Sequence, residues 1–204
     1  EVFPDEENPN ALCWRTAFYK GKKLTDLRLF AKGPDRMKDI RLLELSDGRI
    51  LVAVRPQGEI GGRGKIGFLV VKSLDELTKE RMESAPVLEG QFVDEEWGGC
   101  NEMHLLQGGR IGVLSHIACF DAAGNRHYYA SCFVYDVSTG EYTPMKMIAR
   151  RSDFESGESK RPDLADVIFS GGLVRRKDGT AQLYCGVGDA QAHMRLIKDP
   201  FLER

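Results

Sequence analysis

The stretch Val167 to Ala190, VIFSGGLVRRKDGTAQLYCGVGDA, decides the fold. Two β-rich runs, Val167 to Arg175 and Ala181 to Val187, flank Lys177-Asp178-Gly179. An Asp-Gly pair supplies the positive φ angles of a tight primed turn, so an antiparallel hairpin is expected. The second run ends in Gly186-Val187-Gly188-Asp189, where glycines permit close backbone approach and a carboxylate follows at once.

The pattern occurs twice upstream. Ile40 to Pro56 reads IRLLELSDGRILVAVRP, with its turn at Asp47-Gly48, and Glu102 to His116 reads EMHLLQGGRIGVLSH, with its turn at Gly108-Gly109. The turn glycines Gly48, Gly109 and Gly179 are 61 and 70 residues apart. Self-similarity at that period predicts an all-β chain of β-propeller blades, each about four strands. Each hairpin would form two inner strands, and runs such as Lys65 to Lys72 and Tyr128 to Val137 would form outer ones. A sandwich with several glycine-turn hairpins is the alternative.

A chain of 204 residues can bury one core, so residues 1–204 are expected to form one domain. Net charge is −2 with 29% charged residues, which argues against a general nucleic-acid surface. No apolar run reaches the ~18 residues of a membrane span. The cysteines, Cys13, Cys100, Cys119, Cys132 and Cys185, are odd in number and unpaired in spacing, which fits free thiols and a cytoplasmic setting. Without CxxC or His-x-x-x-His, no metal site is expected.

In chain order, residues 1 to 11 read as an acidic, turn-prone loop with Pro4, Asn8, Pro9 and Asn10. Leu12 to Lys20 and Leu24 to Ala31 read as a strand pair turned by Gly21-Lys22-Lys23. That pair resembles the outer half of a blade whose inner half precedes Glu1, and the chain starts without Met, so an N-terminal part is expected to be missing. Gly58 to Gly64 reads as a flexible hairpin loop, because the run after it is a strand and not the helix a phosphate loop requires. Ser73 reads as the N-cap of a short helix across Leu74 to Met82. The acidic run Asp94-Glu95-Glu96 leads into Trp97 and an inner strand, and Ile148 to Asp166 has no strand periodicity. Long irregular connections of that kind are often functional.

In a propeller, the start of each first strand and the end of each second strand share one mouth of the channel. Lys38, Asp39 and Arg41 open one inner strand, and Arg55 stands seven residues beyond its turn glycine. Asn101, Glu102 and His104 open the next, and His116 stands at the same offset. In the third copy that offset is Gly186, with Asp189 just beyond. Carboxylates accept sugar hydroxyls, whereas Arg and Lys clamp oxyanions, so the set suits a polyhydroxylated or phosphorylated ligand.

Gly33-Pro34, Met37-Lys38-Asp39-Ile40-Arg41, Arg55-Pro56-Gln57-Gly58, Arg63-Gly64-Lys65-Ile66-Gly67, Trp97-Gly98-Gly99 with Asn101-Glu102, His116-Ile117-Ala118, Lys160-Arg161-Pro162-Asp163-Leu164 and Gly186-Val187-Gly188-Asp189 together resemble domain-of-unknown-function family 1861. The resemblance runs over nearly the whole chain. It implies a five-bladed propeller, distantly similar to the β-mannoside phosphorylases of glycoside hydrolase family 130 and to furanosidase propellers. Five blades at this period need roughly 300 residues, so the chain would hold about three and a half. Lys38, Arg55 and Asp189 resemble phosphate- and sugar-contacting positions of that group, with His116 a looser match. The acid of those phosphorylases lies in an early blade that this chain would lack.

The expectation is therefore a glycosidase or glycoside phosphorylase acting on a small glycoside at the channel mouth. An inverting reaction needs a carboxylic acid and either a base-activated water or a phosphate held by cations. Asp39 and Glu102 are the expected catalytic carboxylates. Lys38, Arg41, Arg55, Asn101, His104, His116, Arg161 and Asp189 are the expected substrate- or phosphate-binding residues, with Lys38, Arg55 and His116 forming the oxyanion clamp. No cofactor is expected beyond inorganic phosphate as a potential co-substrate. The expected partner is a small carbohydrate, not nucleic acid or membrane. The alternative is a non-catalytic propeller that binds a carbohydrate or a protein on the same mouth.

Overall fold

In the computed structural model, which describes residues 1–6, 8 and 10–202, strands make up most of the ordered backbone and fall into two units, residues 1–88 and 89–204. The first unit begins with β1 (Val2–Pro4) against β2 (Leu12–Trp14) and β3 (Ala17–Lys20) against β4 (Arg28–Lys32). A three-stranded antiparallel sheet follows, in the order β5 (Arg41–Glu44), β6 (Ile50–Val54), β7 (Gly67–Val71). Two short helices, α1 (Gly58–Gly61) and α2 (Lys79–Glu83), flank β7 in sequence. The β6 residues Leu51, Val52, Ala53 and Val54 are all fully buried, so both faces of this central strand are covered. Val52, Val54 and Val71 pack with Met37, Ile40, Leu77, Met82 and Ala85.

The second unit holds β8 (Trp97–Leu105), β9 (Arg110–Phe120), β10 (Arg126–Asp136), β11 (Lys146–Ala149), β12 (Asp166–Arg175), β13 (Thr180–Val187) and β14 (Gln191–Lys198). The order is β14-β13-β12-β10-β9-β8, with β11 on the free side of part of β10. Two antiparallel meanders, β8-β9-β10 and β12-β13-β14, meet at a parallel seam of two register pairs, His127↔Asp166 and Tyr128↔Val167. Along β13, Ala181, Leu183, Cys185 and Val187 are buried while their neighbours are not, the period-2 pattern of a strand with one face on a core. They pack with Leu114, Ile168, Leu173 and Phe201. All five cysteines are free thiols.

The three repeated hairpins are present, and β7, β10 and β14 add a third strand to each. The first and third turns differ from the primed type, whereas in the second Gly108 (φ 76°) is left-handed as well as Gly109. Gly48, Gly109 and Gly179 have φ of 83°, 78° and 82°, but Asp47 and Asp178 do not enter the positive-φ region. Leu45 pairs with Arg49, Leu106 with Arg110 and Arg176 with Thr180, leaving three residues between. These are three-residue loops that close on a left-handed glycine, a geometry that also matches strand twist. Asp47 and Asp178 instead accept the amides of Arg49 and Thr180 through Oδ1, at 3.0 Å each.

Several local expectations are corrected. Residues 2–4 form a strand rather than a loop, because Val2–Pro4 finds a partner in Leu12–Trp14 (Pro9 lies outside the described residues). Leu12 to Lys20 is two strands, because Arg15 donates its amide to Glu1 and the Thr16 carbonyl accepts from Gly33. Leu24 to Ala31 opens with a 3-10 turn, Leu24–Asp26, before β4 begins. The helix across Leu74 to Met82 is a 3-10 turn (Leu74–Glu76) and then α2, whose cap is not Ser73 but Thr78, with Oγ1 3.3 Å from the Arg81 amide. The Gly58 to Gly64 loop carries the turn α1. Among the described residues, no helix is long and apolar enough to cross a membrane.

The parallel seam carries its own polar clasp. His127 Nδ1 lies 2.6 Å from Asp166 Oδ2, Tyr129 donates its hydroxyl to the same oxygen at 2.7 Å, and His127 Nε2 is 3.4 Å from Asp121 Oδ2. Asp166, opposed by burial and helped by Asp121, raises the His127 pKa above its ordinary 6.5. A group raised on folding stabilises most when fully protonated, below its unfolded value, and loses that contribution as pH climbs through the folded value. The gap in thermal midpoint between the parent protein and His127→Gln is therefore expected to be widest near pH ~6 and to shrink above it. A gap that grows on alkalinisation would contradict this sign.

Candidate functional site

The three repeats can be superimposed on their turn glycines. Arg55 and His116 stand seven residues after Gly48 and Gly109, and Gly186 seven after Gly179. The register confirms the equivalence in the last two copies, because Gly99 faces His116 and Phe169 faces Gly186. Both copies also carry a β-bulge at one place, Asn101 between Cys100 and Glu102, and Gly171 between Ser170 and Gly172. A bulge re-aims the side chain of its extra residue. In β8 that residue is Asn101.

In the first unit the predicted residues converge. Arg55 is 4% exposed and donates through Nη1 to Asp39 Oδ2 at 2.7 Å. Arg41 Nη2 is 4.0 Å from the other carboxylate oxygen of Asp39. Lys38 lies with its Nζ 5.9 Å above the Trp14 ring. Partial burial first, and then the Arg55 charge, lower the Lys38 pKa against the opposing pull of Asp39. Arg55 and Arg41 thus both face Asp39, and the charges of Arg55 and Asp39 both reach Lys38. Asp39 has φ of 57° and Asp189 of 55°, and together with Arg36 they are the non-glycine residues of positive φ among the described ones. Two of those three unusual conformations fall on candidate site aspartates, and such backbone strain clusters at functional positions.

Sequence reasoning missed what seats Arg55. Its Nη2 donates to the Arg63 carbonyl at 3.2 Å, and Gln57 Nε2 donates to the same oxygen at 2.9 Å. Gly64, at φ of 148°, lies against the guanidinium so closely that a Cβ there would be 2.3 Å from Arg55 Nε. The signal was the Arg-Gly pair at the end of the glycine-rich loop, read only as a flexible hairpin. A cleft of about 310 Å³ opens beside these segments, lined by Asp35, Arg36, Met37, Pro56, Gln57 and Glu83 among others.

In the second unit the candidates form separate groups. Asn101 and His116 are both buried, with His116 Nδ1 2.9 Å from Asn101 Oδ1. The His116 ring stacks on Tyr128 (centroids 5.7 Å apart, planes at 14°) and packs against Phe169 at 5.0 Å. Glu102 Oε2 accepts the Leu173 amide at 2.6 Å and lies 3.5 Å from His104 Nε2. Burial pushes the Glu102 carboxyl up, but His104 and the Leu173 amide outweigh it and hold the group below its ordinary value. A carboxyl so held ties β8 to β12 and is a poor proton donor. Arg161 pairs with Asp163 at 3.0 and 3.1 Å, and Asp189 is exposed with Lys160 at 3.7 Å. Among the described residues no cluster of three or more His, Cys, Asp or Glu is placed to hold a metal.

The family model described as a protein of unknown function (DUF1861) matches residues 1–203. Solved structures are also similar. A mannose phosphorylase from Leishmania mexicana, solved with a phosphate ion, is 37% identical with a TM-score of 0.87, over 98% of this chain and 62% of that one. A GDP-Man-dependent mannosyltransferase from the same organism is 34% identical with a TM-score of 0.85, over 99% and 64%. A hypothetical protein from Leishmania major is 34% identical with a TM-score of 0.82, over 94% and 64%. This chain thus spans less than two thirds of the length of each. No curated protein matches it.

Proposed function

This chain belongs to the DUF1861 family, and on that premise we propose that it is part of a glycoside-processing enzyme, a phosphorylase-type protein that breaks a small glycoside with inorganic phosphate. The observation that carries this reading is the group formed by Arg55, Lys38 and Asp39, two cations whose charges act on each other around one carboxylate, a setting suited to an oxyanion. Two similar structures handle mannose next to phosphate chemistry, one as a phosphorylase with phosphate bound and one with a GDP-linked donor.

In the proposed reaction the bond from the anomeric carbon to the leaving oxygen breaks, and a phosphate oxygen takes its place. A carboxylic acid gives its proton to the leaving oxygen, which departs as a hydroxyl. Lys38 and Arg55 hold the phosphate in this scheme, and Asp39, ion-paired with Arg55, orients that guanidinium. Glu102, held below its ordinary value by His104 and the Leu173 amide, is likewise a poor proton donor, so the acid of this scheme is neither of the two. Asp189, Arg161 and His104 are proposed as peripheral sugar contacts. The organisation that goes with this reading is a single five-bladed propeller, with the three meanders as blades.

The test is a screen of the full-length protein against aryl glycosides and disaccharides, mannosides included, with and without phosphate. Release that depends on phosphate is the expected result. Equal release without phosphate would replace phosphorolysis with hydrolysis, and sugar binding without any turnover would leave a carbohydrate-binding module.

A further inference from the structure

The polar network around Asn101 has one consistent arrangement of hydrogens. Asn101 Nδ2 lies 2.8 Å from the Ser170 carbonyl oxygen and 2.7 Å from Ser170 Oγ. A carbonyl can only accept, so this end of the carboxamide is the NH₂ and the other end is the oxygen. Ser170 Oγ in turn lies 3.0 Å from the Ser115 carbonyl, which also can only accept, so the hydroxyl hydrogen points there. Its lone pair is then free to take a hydrogen from Asn101. Asn101 Oδ1 must therefore accept from His116 Nδ1, 2.9 Å away, and Nδ1 must carry a hydrogen.

We infer that Asn101 is a positioning residue which fixes His116 as the tautomer protonated on Nδ1, so that in the neutral ring Nε2 accepts a hydrogen bond and does not donate one. Tyr128 stacks on the ring and Phe169 packs against it, and a flip of the ring would put a carbon where Nδ1 meets Asn101 Oδ1 and lose that bond. The bulge is what brings the carboxamide to the ring, since Asn101 is the extra residue between Cys100 and Glu102.

The equivalent position in the first repeat makes the contrast clear. Arg55 there is a donor only and is partnered by a carboxylate, which suits an ionised oxyanion. His116 is fully buried and is partnered by a neutral carboxamide, which fixes a tautomer and not a charge. His116 thus leaves the oxyanion clamp expected from the sequence. The tautomer follows from the hydrogen-bond network alone and stands whether or not the chain turns over a glycoside.

The experiment is long-range ¹H–¹⁵N correlation spectroscopy of the ligand-free, ¹⁵N-histidine-labelled full-length protein at a pH where its histidines are neutral. The signal that His116→Gln removes is assigned to His116. The expected spectrum shows a protonated Nδ1 and an unprotonated Nε2 for His116, unchanged in Asn101→Asp, which keeps an acceptor, and redistributed toward the Nε2-protonated form in Asn101→Leu. An Nε2-protonated His116 in the parent protein would overturn the inference. So would a folded Asn101→Leu with the parent tautomer; if that variant fails to fold, the parent and Asn101→Asp spectra decide the matter.

Discussion

Arg55→Ala is expected to weaken binding of inorganic phosphate roughly tenfold to a hundredfold, the value of a charge-assisted hydrogen bond of about 1.5–3 kcal/mol. It is also expected to lower stability by about 3–5 kcal/mol, the cost of removing one partner of a buried pair. The side chains of Arg55 and Asp39 are 5% and 12% exposed, so solvent cannot replace the guanidinium once it is gone. Asp39 would keep its strained backbone and lose the 2.7 Å bond that offsets it. Lys38 provides an internal check. Arg55 is one of the groups that lower its pKa, so the Lys38 pKa should rise in the variant. Calorimetry of phosphate with the full-length parent and variant, beside chemical denaturation of both, measures the two effects separately. Equal phosphate binding by the two proteins would remove Arg55 from the anion seat, whereas a stability loss alone would leave it a purely structural group.

Gly64→Ala is expected to act on the same guanidinium without altering any charge. The new Cβ would be 2.3 Å from Nε and 2.7 Å from Nη2 of Arg55, distances that no side chain tolerates. The residue would also have to hold φ of 148°, a region that L-residues with a Cβ rarely adopt. Either the loop moves or Arg55 does, and both outcomes break the bond from Nη2 to the Arg63 carbonyl. A destabilisation of about 2–4 kcal/mol is expected from strain of this kind. Phosphate binding should weaken by about as much as in Arg55→Ala, since the charge stays but its direction is lost. Gly62→Ala is the control: it lies in the same loop at positive φ, yet nothing lies within 4 Å of its would-be Cβ. Parent-like phosphate affinity in Gly64→Ala would show that the seat of Arg55 is not what orients it.

What could be read from the sequence and what could not divides along a physical line. The turn glycines at Gly48, Gly109 and Gly179 were legible because a left-handed backbone restricts residue choice locally. The strands around them were legible because alternation in a run such as Ala181 to Val187 reports which face is buried. The sequence placed Arg55 and Asp39 only near each other, at the end of one strand and the start of its partner. The long strand expected at Leu12 to Lys20 was misread because its two halves have different partners, Glu1 for Arg15 and Gly33 for Thr16, and partners are not encoded in a run's own composition.

The sequence by itself therefore determined the family, the repeat, its turn positions and the residue types gathered at the strand ends, since each of these is carried by local chemistry. Only the tertiary structure decided what those residues do to one another. It committed Glu102 to the Leu173 amide, withdrew Arg161 to Asp163, buried His116 between aromatic rings, and turned the Asn101 carboxamide so that the imidazole carries its hydrogen on Nδ1. The reason is distance in the chain. Asn101 and Ser170 are 69 residues apart, and Glu102 and Leu173 are 71. The direction of a hydrogen bond between such residues exists only once the strands that carry them are in register.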